Sequence, residues 1–403
     1  MDKLPGTLFS LIAFATMTFV PAHSARAADE EQSKFNLDFR YRYEFVDLDG
    51  SAKDAHASTL RTRLAYESRY HKDFGFLIEF DDLRYVGNDL YDSTRNGNIT
   101  RPVVADPKGT IVNRALILYR GIDSTVIRVG RRRITLDNHR FIGDVVWRQN
   151  DQTYDGLSLT NTSLRDTMIE YAYIDKVNRI FGPDSGTPPA DFDSNSHILN
   201  VKYAWLPDWD LTAYAYLLDL EDSPSRSNKT FGIRATGSVD INESITTSYT
   251  LEYANQTDYG DNPANYSADY YLLEGALTFA GVTGKLGYEV LGGDSNQPFQ
   301  TPLATLHAFQ GWADKFLATP TQGIEDFYAS VATKLYGANV AVIYHHFSPE
   351  TGGSDYGSEW DLVIKKPFAK RYAIVLKYAG YNARDFATDT QKAWVMFSAN
   401  FGK

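Results

Sequence analysis

The sequence predicts an all-β protein, a transmembrane antiparallel up-and-down β-barrel of about 18 strands with short periplasmic turns and long extracellular loops. Three observations predict it. Segments of alternating apolar and polar residues recur along the chain, and the spacers between them alternate short and long. The N-terminus reads as an export signal, and nothing after it approaches the roughly 18 consecutive apolar residues of a membrane helix.

Residues 1–27 form the expected signal peptide. Lys3 gives the positive start, Leu8 to Val20 the short apolar run, and Ala25-Arg26-Ala27 the cleavage site. Residues 28–403 are then one barrel domain, opening with Phe35-Asn36-Leu37-Asp38-Phe39-Arg40-Tyr41-Arg42-Tyr43-Glu44-Phe45. Side chains of a strand point alternately to its two faces, so this segment has one aromatic face and one charged or amide face. A soluble sandwich would bury the first against another sheet. A membrane barrel turns it to lipid and keeps the second wet.

Strands are expected near 35–46, 57–70, 74–86, 110–120, 124–131, 153–162, 166–176, 196–205 and 210–219. The series continues near 228–239, 243–256, 267–279, 283–292, 324–335, 338–347, 356–366, 370–382 and 390–402. The spacers at 71–73, 121–123, 206–209, 240–242 and 336–338 are tight turns rich in Gly, Pro, Asp and Asn. Long polar connections lie at 87–109, 132–152, 177–195 and 293–323. A sandwich has no reason to segregate loop lengths so regularly; a barrel does, and an even strand number puts both termini on the periplasmic side.

Alternation also sets the register. Ile245, Thr247, Tyr249, Leu251 and Tyr253 belong on the lipid face, with Thr246, Ser248, Thr250 and Glu252 inward. Tyr372, Ile374, Leu376 and Tyr378 face lipid, with Arg371 and Lys377 toward the lumen; Val395, Phe397, Ala399 and Phe401 face outward. Leu211 to Leu220 is apolar on both faces, which calls for a loop packed into that part of the lumen.

Bulk composition conceals the membrane. Apolar residues are 43% of the chain and mean hydropathy is −0.36, because a barrel strand needs only every second residue apolar. The 27 tyrosines suit membrane–water interfaces, where ring and hydroxyl are both satisfied. With no cysteine, disulfides and thiolate metal sites are excluded. The net charge of −11 argues against nucleic acid as a partner. The partners implied are outer-membrane lipid, the barrel-assembly machinery of a Gram-negative cell, and solutes.

Charge is distributed unevenly. Between 101 and 150, Arg101, Lys108, Arg114, Arg120, Arg128, Arg131, Arg132, Arg133, Arg140 and Arg148 outnumber Asp106, Asp123, Asp137 and Asp144. The first two strands add Arg40, Arg42, Arg61, Arg63 and Arg69 opposite their aromatic faces; Arg234 and Lys377 occur later. Facing lipid, each would cost roughly 2–4 kcal/mol at the midplane, so they belong to the lumen or its rims. One reading is a cationic passage, since guanidinium stays charged and offers paired donors to carboxylates. The other is a set of ion pairs with Glu44, Glu67, Glu79, Asp81, Asp82 and Glu170 that brace the wall. Acids are few where arginines are densest, which favours the passage.

Two stretches carry a family resemblance. One runs Val129-Gly130-Arg131-Arg132-Arg133-Ile134-Thr135-Leu136-Asp137-Asn138-His139-Arg140-Phe141-Ile142-Gly143, on through Trp147-Arg148-Gln149-Asn150 to Tyr154-Asp155-Gly156. The other runs from Phe299 through Gly311-Trp312-Ala313-Asp314-Lys315-Phe316 to Leu317. With Thr59-Leu60-Arg61-Thr62-Arg63-Leu64, the chain resembles the alginate export family of outer-membrane proteins. The resemblance implies an eighteen-stranded barrel whose arginine-rich constriction conducts a polyuronate outward. It places Arg132, Arg140 and Arg148 at the constriction, with Arg61 and Arg63 next. The second stretch has no charge pattern suited to a filter and is expected to pack through Phe309, Trp312 and Phe316.

Weaker signals do not support catalysis or a cofactor. His345 and His346 are adjacent on a strand and face opposite ways, so they do not ligate one ion together. Asp191 with Asp193, and Asp258 with Asp261, are spaced to hold a surface calcium ion, although such loops are ordinarily just solvated. The expectation is a passive channel for anionic saccharides or small carboxylated solutes. A general diffusion porin and a closed adhesive barrel acting through its loops are the alternatives.

Overall fold

The computed structural model describes residues 32–206 and 208–402; the expected signal peptide lies outside them. Eighteen strands form one closed antiparallel sheet, in which β1 pairs with both β2 and β18. In chain order these are β1 (Lys34–Leu48), β2 (Ala55–Glu67), β3 (Phe74–Tyr85), β4 (Gly109–Ile122), β5 (Thr125–Arg132) and β6 (Thr153–Asn161). Next come β7 (Thr167–Asn178), β8 (Asp191–Leu206), β9 (Trp209–Leu218), β10 (Asn228–Asn242), β11 (Ile245–Asp258) and β12 (Ser267–Phe279). The circuit ends with β13 (Val282–Leu291), β14 (Ile324–Leu335), β15 (Ala338–Ser348), β16 (Gly357–Phe368), β17 (Tyr372–Ala383) and β18 (Thr390–Asn400). Closure leaves no strand edge unpaired, which hydrocarbon would not tolerate.

Every expected strand is present. The largest boundary difference is at 177–195, where β7 runs on to Asn178 and β8 begins at Asp191. A bulge between Ile174 and Lys176 shifts the register there, and the extra residue breaks the period-two pattern that sequence reading relies on. Arg371 also departs from expectation. It lies in the turn before β17, and its guanidinium stacks 5.6 Å from the outward ring of Phe401 rather than facing the lumen.

The exterior is a band of exposed apolar side chains. Phe35, Leu64, Phe76, Ile117, Leu199, Ile233, Leu273, Val331 and Leu376 belong to it. The packed core lies inside the barrel, where loops 133–152 and 292–323 fold in. Ile134, Leu136, Phe141 and Ile142 of the first meet Phe299, Leu303, Trp312 and Phe316 of the second against Tyr214, Tyr216, Tyr270 and Tyr381 of the wall. This accounts for the two-sided apolar character of β9. Its inward tyrosines would be wasted on water, and each buried aromatic contributes roughly 1.5–3 kcal/mol.

A glycine pair starts the inward turn. Gly130 and Gly156 lie opposite each other on β5 and β6, at φ +120° and +152°. A Cβ would stand 2.3 Å from the Ala115 carbonyl oxygen at the first and 2.1 Å from that of Tyr173 at the second. Only glycine fits such an approach at positive φ.

Candidate functional site: the lumen and its two inward loops

Loops 133–152 and 292–323 are tied to each other by backbone. Ile142 and Leu303 form a parallel bridge, and the Gly143 amide donates to Leu303 O at 2.9 Å. Tyr154 Oη donates to Gly143 O at 2.7 Å, and Gln152 Nε2 donates to Gly143 O and Leu303 O, both at 3.0 Å. These bonds satisfy backbone groups that the lumen would otherwise strand.

The luminal arginines fall into two sets. Most are ion-paired. Arg42 meets Asp106 at 3.2 Å, Arg61 meets Asp38 at 2.6 Å, and Arg63 grips Asp81 through two bonds of 2.6 Å. Arg114 meets Glu79 at 2.5 Å, and Arg234 pairs with Glu252. A bulge opposite Glu79 turns both Asn113 and Arg114 inward, and both bond its Oε1, at 2.8 and 2.9 Å. The two loop arginines are braces. Arg140, 1% exposed, lies 2.8 Å from Glu289, and Arg148 lies 3.1 Å from Glu44 and 3.4 Å from Asp314.

Arg40, Arg128 and Arg132 form the second set, with no carboxylate oxygen within 4 Å among the described residues. Arg40 donates to Gln149 Oε1 at 2.9 Å and Val146 O at 2.8 Å, and Arg128 donates to Thr160 Oγ1 at 3.0 Å. Arg132 donates to the Ser158 hydroxyl and to Arg133 O. All three are half-buried; Arg40 also donates to Arg148 O, and Glu170 acts on Arg128 and Arg132 from beyond ion-pair distance. Thr160 Oγ1 donates to Glu170 at 3.4 Å, and Glu67 is half-buried at the end of β2.

Acids that sequence spacing did not associate with the arginine-rich stretch supply much of the pairing. Asp151 lies 2.7 Å from Arg63, 3.5 Å from Arg133 and 3.9 Å from Arg61. Burial pushes its carboxyl up, but these arginines outweigh that and hold it well below the usual carboxylate range. Asp82 is a correction in the other direction. It pairs with exposed Arg84 at 2.7 Å on the outward face of β3, not across the lumen.

A second charged cluster was not foreseen. His307 stands between Lys377 Nζ, 2.6 Å from its Nε2, and Asp314 Oδ1, 2.7 Å from its Nδ1. Lys377 is caged by rings, with Nζ 3.5 Å from the Trp312 centroid and 4.1 Å from that of Trp147. Lys392 donates to Asp314 Oδ2 at 2.7 Å. Burial holds His307 well below its ordinary range, so the neutral ring accepts from Lys377 and donates to Asp314. Burial raises Asp314, but His307 and Lys392 more than offset it and hold it down.

His345 lies inward, 2.9 Å from Asp326, while His346 is exposed on the outer face. Asp191 and Asp193 are joined by Asp222 at the extracellular rim, where Lys176 Nζ sits 2.7 Å from Asp193.

A closed barrel with an apolar exterior and a charged lumen narrowed by its own loops is an outer-membrane channel. The chain belongs to the alginate export family, whose model matches residues 31–301. Among solved structures it is similar to OccAB4 of Acinetobacter baumannii, with TM-score 0.75 and 15% identity over 94% of this chain and 100% of that one. OccAB2 of the same organism gives TM-score 0.75 and 19% identity over 93% and 99%. OpdK, an outer-membrane protein of Pseudomonas aeruginosa, gives 0.70 and 14% over 92% and 99%. At these identities the likeness is of fold alone. No curated protein sequence matches the chain significantly.

Proposed function

We propose that the protein is a passive outer-membrane channel with a preference for anions, conducting carboxylated solutes and, as its family suggests, an anionic polysaccharide such as alginate. The observation that carries this reading is the set Arg40, Arg128 and Arg132, half-buried arginines with no carboxylate within ion-pair distance among the described residues. Paired arginines mostly cancel their own field. Unpaired ones lower the barrier for an anion and raise it for a cation, with no chemistry required. OpdK, of like fold, has been crystallised with vanillate, itself a carboxylate, and that lends the solute class support.

The test is the reversal potential of the purified protein in a planar bilayer under a salt gradient. Anion selectivity is expected, together with concentration-dependent block by short oligouronates. Cation selectivity would falsify the reading. A conducting pore with no preference would return the general diffusion porin, and a silent barrel the adhesive platform.

A further inference from the structure

Loop 292–323 is seated on the wall over a pair of acids. Glu359 and Asp361 lie two residues apart on β16, share its luminal face, and are 0% and 1% exposed. Their carboxyl groups are within hydrogen-bonding reach of each other. Yet both oxygens of Asp361 and Oε2 of Glu359 have no hydrogen-bond partner among the described residues. The loop lies directly over them. The Ala313 amide donates to Glu359 Oε1 at 2.7 Å, and the backbone at Trp312 faces Asp361. Gly311 approaches so closely that a Cβ there would stand 2.4 Å from Glu359 Oε2.

Two ionised carboxylates in contact and buried, with three of their four oxygens lacking a hydrogen-bond partner, are mutually repulsive and under-satisfied. What the pair lacks is a donor between the two groups. Among the described residues no third His, Cys, Asp or Glu ligand converges on the pair; the three that do converge are Asp191, Asp193 and Asp222, elsewhere on the rim. The surrounding cations act on the pair but are bonded elsewhere. His345 on β15 reaches Asp361 at 3.7 Å but is already bonded to Asp326 on β14 at 2.9 Å, and Glu289 on β13 also acts on it. Lys377 on β17 is committed to His307 at 2.6 Å. In the loop, Asp314 is bonded to Lys392 of β18 and Lys315 donates to Thr390, at 2.8 Å.

We propose that Glu359 and Asp361 share one proton, and that this proton latches segment 311–315 of loop 292–323 to the wall, so that its loss lets the loop lift from the lumen. The inference rests on the lumen being a passage but not on which ions it prefers. A proton bound in the closed state stabilises that state at low pH. The stabilisation is lost as pH rises through the pair's titration, by up to about tenfold in the latch equilibrium per pH unit.

Hydrogen–deuterium exchange of peptides from 305–318, in the full chain, tests the latch across pH 5 to 10 after correction for intrinsic exchange. Protection is expected to fall on the alkaline side. In Asp361→Asn and in Glu359→Gln an amide supplies the donor permanently, so protection should stay flat. Either variant suffices if the other fails to migrate as a folded, heat-modifiable barrel. Wild-type protection that ignores pH overturns the latch, as does a variant that keeps the wild-type profile. Currents recorded over the same series separate the two readings. Alkaline release of the loop without a rise in conductance leaves the latch standing and removes the passage reading at this loop.

Discussion

Trp147 lies flat on His307, ring centroids 4.4 Å apart and planes 9° from parallel. The two residues come from different inward loops, and the stack joins them. The edge of Trp394 closes on Trp147 at 5.7 Å, and Arg42 sits 4.3 Å over the same indole. The loops, the first strand and the last strand therefore meet around one ring system.

Removing Trp147 should loosen both loops without opening the barrel. Trp147→Ala takes away the stack and two cation–π contacts, and large-to-small changes of this kind cost about 3–5 kcal/mol. Single-channel records should show larger or noisier currents, while heat-modifiable migration stays that of the wild type. An unchanged current would mean that the stack does not hold the aperture.

The three arginines without carboxylates should control ion preference more than the paired ones do. Arg132→Gln combined with Arg128→Gln is expected to move the reversal potential toward that of a nonselective pore. Arg234→Gln, which removes a guanidinium already neutralised by Glu252, should shift it less. The contrast should shrink at molar salt, where the Debye length falls to about 3 Å.

Asp144 should make the loop assembly sensitive to acid in a defined direction. Burial, with repulsion from Asp151, pushes its carboxyl up to about 6. Its unfolded value is about 3.9, so the raised group favours the folded state most fully below pH ~4, and that contribution is lost as pH rises through ~6. At neutral pH the loss is about 2–3 kcal/mol. Asp144→Asn should recover much of it at pH 7 and flatten the profile between pH 4 and 6, measured by thermal transitions across pH. Parallel profiles for the two proteins would rule this assignment out.

Tyr154→Phe tests the backbone junction. Its hydroxyl serves Gly143 O at 2.7 Å and accepts from Gln152 Nε2 at 2.7 Å, in a site 1% exposed. Losing it should cost about 1 kcal/mol, since a buried carbonyl loses one of its donors. Denaturant titration of the loop fluorescence is the measurement.

Much of the wall was legible because a strand's side-chain period is two. Phe35 through Phe45 shows it: the aromatic residues lie outward, while Arg42 and Glu44 point in and are fully buried. Loop lengths fixed which end was which. What alternation could not show was the fate of an inward charge. The family resemblance places Arg140 and Arg148 at the constriction, and what the sequence did not show is that they pair with Glu289 and Glu44. Those partners lie far along the chain, and no local spacing records a contact made by folding a loop into a barrel. Glu359 and Asp361 were visible as inward acids, but nothing in the sequence says that Ala313 comes to rest on them.

Strand number, register, lipid face and the inward direction of most of the cations were therefore set by the sequence, through a local steric rule that each segment obeys alone. Which cations have a carboxylate within ion-pair distance was decided only by tertiary structure. Arg63 and Arg132 both belong to the arginine-rich wall in sequence. Only closure of the barrel and the inward course of loop 133–152 bring Asp151 into ion-pair distance of the first and leave no described carboxylate within that distance of the second, because ion pairing depends on distance in space.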